Sequence, residues 1–386
     1  MTIYLDHNAT TPPLPEVVDA VVSCLEDDWA NPSSVHRSGV AARRRVELAR
    51  ESVAHLLGCR PRDLLFCSGG TEAANLALHG SMAAQPSKPA IATSLLEHSA
   101  VRDTARRLEK QGTPVHWIKH QSDGMVDLAA FESLLEEHAS SLALVSVMWV
   151  NNETGLIQPI EKIGRLCREH GVRFHTDAVQ AVGRMPVDCA SIDVDLLSFA
   201  AHKFHGPKGA GGMFVSRGTR LEPQMIGGSQ ERDRRGGTEN VPALVGMGVA
   251  AAAASEWLEG DGAVAAGRLR DDFETGVRAG RPDLVINGST TPRLWTTSSL
   301  GFPRLAAEGL LLLLSERGIH ASAGAACASG SLEPSPVLLA MGIPEFVAHG
   351  SVRFSISRAT TRREIDEAVV QVIEVANLLA KDLPGA

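Results

Sequence analysis

The sequence predicts an α/β fold, with a largely parallel sheet followed by a second, smaller domain. Two observations carry that expectation. Across residues 43–249, short apolar runs alternate with helical patterns, the signature of βαβ units. An Ala-rich helical stretch at 245–258 then gives way to charged amphipathic sequence over 259–283, and to loops marked by Gly, Pro and Thr over 280–297. The length accommodates both parts, since 386 residues exceed the roughly 100 to 200 of a typical domain.

The runs 63–67, 142–150, 172–175, 196–200 and 213–216 read as the strands. Each is short, rich in Val, Leu, Ile or Phe, and bounded by polar or Gly-containing residues. In such a sheet ligands gather at the carboxyl ends of strands, so the polar residues just after them are the first candidates for chemistry. Near the chain's end, Thr361 precedes Glu364 by one helical turn as in a capping box. Ile365, Ala368, Val369, Val372, Ile373 and Ala376 follow at helical spacing and predict a terminal helix with one face inward. There is no internal repeat and no low-complexity tract.

Composition excludes several classes. Hydrophobic residues at 44 % and charged residues at 21 % are those of a globular chain rather than a disordered one. Lys and Arg total 37 against 45 Asp and Glu, a formal charge of −8, so direct nucleic-acid binding is not expected. The strongest apolar runs, 310–314 and 249–254, fall short of the roughly 20 residues that span a bilayer. The opening residues lack a basic and then apolar leader, so the expected location is cytoplasmic, without membrane attachment. Cysteines stand at 24, 59, 67, 167, 189 and 327 with no CxxC pair, which suits a reducing compartment rather than a disulfide framework.

Four segments carry residue types suited to chemistry. Ser68-Gly69-Gly70-Thr71-Glu72 lies between a strand ending at Cys67 and a helix starting near Glu72. Its free amides and the Thr71 hydroxyl can cup a phosphate, or the segment can be a capped glycine turn. It is not a Walker loop, because no GKS or GKT closes it. In His175-Thr176-Asp177-Ala178-Val179-Gln180, a carboxylate after a buried strand can hold a heterocyclic nitrogen protonated, as an electron-sink cofactor requires, or simply cap a turn.

Farther on, Ala200-Ala201-His202-Lys203-Phe204-His205-Gly206-Pro207-Lys208 leaves a strand into a Gly/Pro turn. A partly desolvated lysine there can serve as a Schiff-base amine, with Lys203 and Lys208 both candidates. His202 and His205 supply only half of a metal site, and no metal is expected. Finally, Cys327 sits among small residues in Ala321-Ser322-Ala323-Gly324-Ala325-Ala326-Cys327-Ala328-Ser329-Gly330-Ser331, a setting that either exposes a thiol or packs closely.

With these residues in view, the chain resembles the cysteine desulfurases of the NifS/IscS type, in the class V branch of the pyridoxal-phosphate aminotransferases. Shared blocks run nearly end to end. They include Tyr4-Leu5-Asp6-His7-Asn8-Ala9-Thr10-Thr11-Pro12, Asn31-Pro32-Ser33-Ser34, Glu97-His98-Ser99-Ala100-Val101, Val150-Asn151-Asn152-Glu153-Thr154-Gly155, Arg235-Gly236-Gly237-Thr238-Glu239-Asn240-Val241 and Arg353-Phe354-Ser355. Ser331-Leu332-Glu333-Pro334-Ser335 after the cysteine is similar to the longer-loop group of that family.

The resemblance implies the fold-type I aminotransferase architecture. Residues 13–258 would form the large cofactor domain on a mostly parallel sheet of the seven-stranded type, and 1–12 with 259–386 the smaller α+β domain carrying the cysteine loop and the substrate arginine. It implies pyridoxal 5′-phosphate as cofactor, with Lys203 as the Schiff-base lysine, Asp177 at the ring nitrogen, Gln180 near the ring oxygen and His98 stacked on the ring and assisting proton traffic. Gly70, Thr71 and His202 would contact the phosphate, and Thr238 would reach it from the second subunit of a homodimer. Asn152 and Arg353 would face the substrate, L-cysteine. Cys327 would take its sulfur as a persulfide, leaving L-alanine and passing sulfur to an acceptor protein, for iron–sulfur cluster assembly or for thiolation of a cofactor or nucleic acid.

A selenocysteine lyase or another class V lyase or aminotransferase would share the cofactor residues. A catalytically weak scaffold of a sulfur-assembly complex is the reading from another class. The chain departs from the family at Ala200-Ala201-His202-Lys203, where Ser-Gly-His-Lys is common, so one hydroxyl contact to phosphate is missing at Ala200. Gly324-Ala325-Ala326-Cys327 likewise replaces a usual Ser-Ala-Cys.

Overall fold

The computed structural model describes residues 2–324 and 333–381. The chain runs through β1 (Ile3–Tyr4), α1 (Pro15–Asp27), α2 (Arg37–Leu56), β2 (Leu64–Cys67), α3 (Gly70–Ala83), β3 (Ala90–Ser94), α4 (Ser99–Lys110), β4 (Val115–Ile118), α5 (Leu128–His138), β5 (Leu142–Ser146) and α6 (Ile160–Glu169). It continues with β6 (Phe174–Asp177), β7 (Leu196–Ala200), β8 (Gly211–Val215), α7 (Val241–Leu258), α8 (Gly262–Gly280), β9 (Val285–Ile286), β10 (Thr297–Gly301) and α9 (Ala307–Glu316). The last elements are β11 (Ile319–His320), α10 (Pro336–Ala340), α11 (Glu345–Ala348), β12 (Ser351–Ser355) and α12 (Arg362–Ala380).

Seven strands form the central sheet in the order β2-β8-β7-β6-β5-β3-β4. All neighbours pair in parallel except β8, which is antiparallel to both β7 and β2. The α/β class with a mainly parallel sheet is therefore as the sequence predicts. Both faces of this sheet are covered. Leu65, Leu144, Leu196 and Met213 pack with Ala73, Leu76 and Val101 of α3 and α4, while Leu64, Phe66, Val145, Leu197, Phe199 and Phe214 join the larger core on the other side. Burial on both faces is why these strands read as continuous apolar runs rather than alternating ones.

Several extents differ from the sequence reading. The run 142–150 is a strand only to Ser146, although Val147 and Trp149 still donate to the His175 and Asp177 carbonyls before the Asn151 side chain turns the chain by accepting from the amides of Glu153 and Thr154. The 172–175 strand sits at Phe174–Asp177, so Asp177 ends the strand instead of following it. Asp63 belongs to a short 3-10 turn, Pro61–Asp63, ahead of β2. The 213–216 strand starts earlier, at Gly211, and ends at Val215. β3 and β4 were not anticipated. β3 is made of small residues, and Val115, His116 and Trp117 of β4 are only half-buried, so neither offers a strong apolar run.

Helix α7 begins at Val241, before the expected 245, and its 18 residues are long and apolar enough to cross a membrane by length and composition. That corrects the sequence reading, which found no segment of that kind. In the fold, α7 packs against α1 and α2, and Leu244, Met247, Ala250, Ala251 and Ala254 are buried.

The carboxyl-terminal elements build smaller sheets. β9, β10 and β12 are antiparallel, with Ser299 opposite Arg353, and β1 pairs in parallel with β11. An isolated bridge from Asp6 to Ser355 ties the first loop to β12, which brings residues 6–12 beside the ends of the central strands. α12 carries the full capping box between Thr361 and Glu364.

Candidate active site

A cavity of about 420 Å³ opens at the carboxyl ends of the parallel strands. Gly70, Thr71, His98, Asn152, Asp177, Gln180, His202, Lys203 and Arg353 all line it, as do Ala200 and Gly324. Residues that follow β2, β3, β5, β6 and β7 thus converge with Arg353 of β12, those after β2, β6 and β7 standing where the sequence placed them and His98 following a strand that the sequence did not show. Thr238 does not line it and is exposed. Cys327 lies outside the described residues.

At one end, α3 begins at Gly70 with no side chain capping its first amides, so unsatisfied N–H groups and the positive end of the helix dipole are available to an anion. The helix starts two residues before the expected Glu72. Glu72 instead accepts from the Ser68 amide and pairs with Arg235 at 2.8 Å. Arg235 thus has an ion-pair partner within its own subunit. A Cβ at Gly70 would meet Val179 at 2.6 Å, which explains the glycine. Ala200 presents a methyl group where a hydroxyl was noted as missing.

Lys203 ends a 3-10 turn, Ala201–Lys203, that directly continues β7. Its Nζ donates to the carbonyls of Asn8 and Ala9 at 2.6 and 2.8 Å. Burial, with the Arg184 and Arg353 charges beside it, pulls the amine down to about 7. Lys208 is exposed and does not line the cavity, so of the two candidate lysines only Lys203 is placed for chemistry.

Asp177, at the end of β6, accepts from the Val179 amide at 3.0 Å and is buried. Desolvation pushes its carboxyl up and the His98 imidazole down, each effect opposed by the attraction between the two groups. His98 caps α4, its Nδ1 accepting from the Ala100 amide at 3.1 Å, so a neutral ring carries its proton on Nε2. His202 meets the Thr10 hydroxyl through Nδ1 at 3.2 Å, and His205 meets the Pro12 carbonyl at 2.9 Å. The two histidines therefore serve different parts of the amino-terminal loop.

Arg353 is buried on β12. It donates to the Asn152 carbonyl at 2.9 Å and the Gly324 carbonyl at 3.2 Å, and pairs with Asp6 at 2.7 Å, while its Nε has no partner among the described residues. Asp6 thus occupies part of the guanidinium.

Three further residues escaped the sequence reading. Asn8 accepts Lys203 and Gln180 on its carbonyl, and its side chain donates to Thr297 at 2.8 Å. Glu97 is buried, accepts from the Met148 amide at 2.9 Å, leaves Oε2 unpartnered and is pushed up to about 8 by burial. Arg184 is described below. Asn8 and Glu97 stood inside blocks shared with the family, which was the available signal.

The residues present suit pyridoxal phosphate. Uncapped amides face one end of the cavity, a buried carboxylate and a depressed lysine amine lie along it, and an arginine with an unpartnered Nε closes the other. The fit rests on this donor set.

Comparisons with known proteins agree with that chemistry. The family model for class V aminotransferases matches residues 3–368. A cysteine desulfurase from Nostoc sp. is 45 % identical over 378 residues, spanning 98 % of this chain and 93 % of the relative. Among solved structures, a NifS-like protein superposes with a TM-score of 0.90 at 34 % identity, covering 98 % of this chain and all of that one. SspA in complex with cysteine does so at 0.81 and 32 % identity, over 93 % of this chain and all of SspA. The fold, the strand-end cavity and these likenesses together establish that the chain belongs to the class V aminotransferase family, within its NifS-type cysteine desulfurases.

Proposed function

We propose that the chain converts L-cysteine to L-alanine, using pyridoxal phosphate and transferring the sulfur to Cys327. The observation that carries this reading is the convergence on one cavity of Lys203, Asp177, His98 and Arg353 in a chain of this family. The cysteine held by its structural neighbour SspA supports the choice of amino acid.

Pyridoxal phosphate, when bound, supplies an electron sink for charge developing at the substrate's α-carbon. The α3 amides, Thr71 and His202 would hold its phosphate, Asp177 would face the ring nitrogen and Gln180 the ring oxygen. Lys203, whose amine burial and the neighbouring arginine charges pull down to about 7, can accept the α-proton. His98, held by the Ala100 amide, presents Nε2 and can relay protons. Arg353 can meet the substrate carboxylate with the edge that Asp6 leaves open.

The Cys327 thiolate then attacks the substrate sulfur. A sulfur–sulfur bond forms as the carbon–sulfur bond breaks, its electron pair staying on carbon, where a proton completes alanine. The persulfide passes to an acceptor protein. We also read the chain as a homodimer in which exposed Thr238 serves the partner's cavity.

Incubating the cofactor-loaded protein with L-cysteine should release alanine and transferable sulfur in equal amounts. Loss of both with Cys327→Ala, while the cofactor spectrum stays intact, is the expected result. Alanine release that continues without Cys327 would assign the lyase reading instead, and an active monomer in sedimentation would refute the shared site.

A further inference from the structure

Arg184 lies in the turn that follows β6, is buried, and forms no ion pair among the described residues. Its guanidinium serves four acceptors instead. Nε donates to the Lys203 carbonyl at 3.0 Å, and Nη2 to the His7 carbonyl at 2.7 Å. Nη1 donates to the Asn8 side-chain oxygen at 2.8 Å and also to the Gln180 Oε1. The Arg184 carbonyl accepts from the Trp295 indole at 2.6 Å, which ties the same residue to the segment leading into β10.

A charge so deeply buried without a counter-ion is costly. What it contacts gives that cost a use. Asn8 and Lys203 are themselves joined, because the Asn8 carbonyl accepts both the Lys203 amine and the Gln180 amide, at 2.6 and 3.0 Å. One planar fork therefore holds the backbone beneath the reactive lysine, the loop that receives its amine, and the glutamine beside it.

We propose that Arg184 is a positioning residue for Lys203: its planar fork locks the Lys203 backbone, Asn8 and Gln180 into one arrangement beneath the amine. Its positive charge makes a second, separable contribution by favouring the neutral amine. This rests on the reading of Lys203 as the reactive amine. Charged and titratable groups face Lys203 from every side. Arg184 and Arg353 oppose its protonation and Asp177 and Asp6 favour it, while His98 and its chain neighbour His202 both feel its charge. Burial and the Arg353 charge pull Arg184 itself down, to about 9, which leaves it charged at neutral pH.

The two contributions can be told apart with Arg184→Lys, which retains a charge but has three donors from one atom and no planar fork, and Arg184→Met, which retains neither. The first readout is independent of turnover: competitive acetylation of Lys203 in the full-length, cofactor-free chain, followed by mass spectrometry across pH 5 to 10. Arg184→Met should raise the Lys203 midpoint by about one pH unit, the size of a near-contact charge effect, whereas Arg184→Lys should leave it near the parent value.

The second readout is turnover of cysteine by the loaded protein. Arg184→Lys should lower kcat roughly tenfold with an unshifted pH profile, and Arg184→Met should also displace the acidic limb of the profile upward. An unchanged midpoint in Arg184→Met overturns the electrostatic part, and a parental kcat in Arg184→Lys overturns the fork. If Arg184→Met does not fold, a lowered Lys203 reactivity at pH 7 in Arg184→Lys overturns the charge assignment on its own, and an unaltered one supports it. A chain that lacks desulfurase activity yet shows the midpoint shift would refute the proposed reaction and leave this inference standing.

Discussion

Arg353 and Asp6 form an ion pair at 2.7 Å across 347 residues of sequence, joining β12, whose Arg353 lines the cavity, to the loop after β1. The pair, with the Asn152 and Gly324 carbonyls that both accept from Nη1, holds the guanidinium still, and its buried Nε has no partner among the described residues. A substrate carboxylate would then meet an arginine that is already oriented and largely desolvated, conditions under which charge-assisted pairing is strong.

Arg353→Ala should therefore raise the KM for cysteine sharply, by an amount equivalent to about 2 to 5 kcal/mol of binding. The cofactor spectrum should persist, because no part of the phosphate end depends on this residue. Arg353→Lys should fall between, since it keeps charge but cannot form a fork. Steady-state kinetics with a parallel absorbance spectrum checks this, and an unchanged KM would remove Arg353 from the substrate site.

The lysine assignment rests on position. Lys203 lies in the cavity beside Asp177, whereas Lys208 is exposed five residues further on. Borohydride treatment of the loaded protein should fix the cofactor covalently to Lys203, as peptide mapping would read. Lys203→Ala should abolish the adduct and lower turnover by at least about a thousandfold, while Lys208→Ala should retain both. An adduct mapped to Lys208 would reverse the assignment.

Cys327 should be the single cysteine whose loss stops sulfur transfer. Burial raises the thiols of Cys24, Cys67, Cys167 and Cys189, and with Asp63 nearby pushes Cys59 up to about 12. Those thiols are therefore scarcely ionised at neutral pH, and a thiolate is what attacks sulfur. Cys327→Ser should bind cofactor yet release neither alanine nor sulfur, a loss of at least about a hundredfold. Serine at any of the other five positions should leave turnover near the parent's. Labelling of sulfane sulfur followed by mapping distinguishes the cases.

Glu97 predicts a pH dependence of stability. Its folded-state value near 8 lies above the ordinary carboxyl value of 4.5, so the folded chain binds the proton more tightly than the unfolded chain does. The stability associated with that proton is fully present below pH 4.5 and is lost as pH rises through 8. Glu97→Gln, which keeps the shape and the contact to the Met148 amide but cannot ionise, should flatten this component of the decline. Thermal melts of the cofactor-free parent and variant at pH 5, 7 and 9 would show the two curves diverging toward pH 9. Parallel curves would mean that Glu97 does not ionise there.

Local patterns carried much of the fold and of the site. The runs around 64–67 and 196–200 were legible because both faces of those strands are buried, which demands unbroken apolar sequence. Gly70, Thr71, Asp177 and Lys203 were legible because each stands within a few residues of a strand end, where a parallel sheet exposes polar groups. The capping box at Thr361 was legible because both of its partners lie within one helical turn.

What the sequence determined by itself is this order of strands, caps and reactive residue types, together with the blocks that mark the family. Tertiary structure alone decided that Asp6 pairs with Arg353, that Asn8 receives the amine of Lys203 across 195 residues, and that Arg184 sits beneath them with no carboxylate partner among the described residues. It also decided that Lys203 and not Lys208 loses its water. The physical reason is the same in each case: desolvation and hydrogen bonds between distant segments exist only once the chain has closed around them, whereas strand and cap signals depend on near neighbours and survive in the sequence.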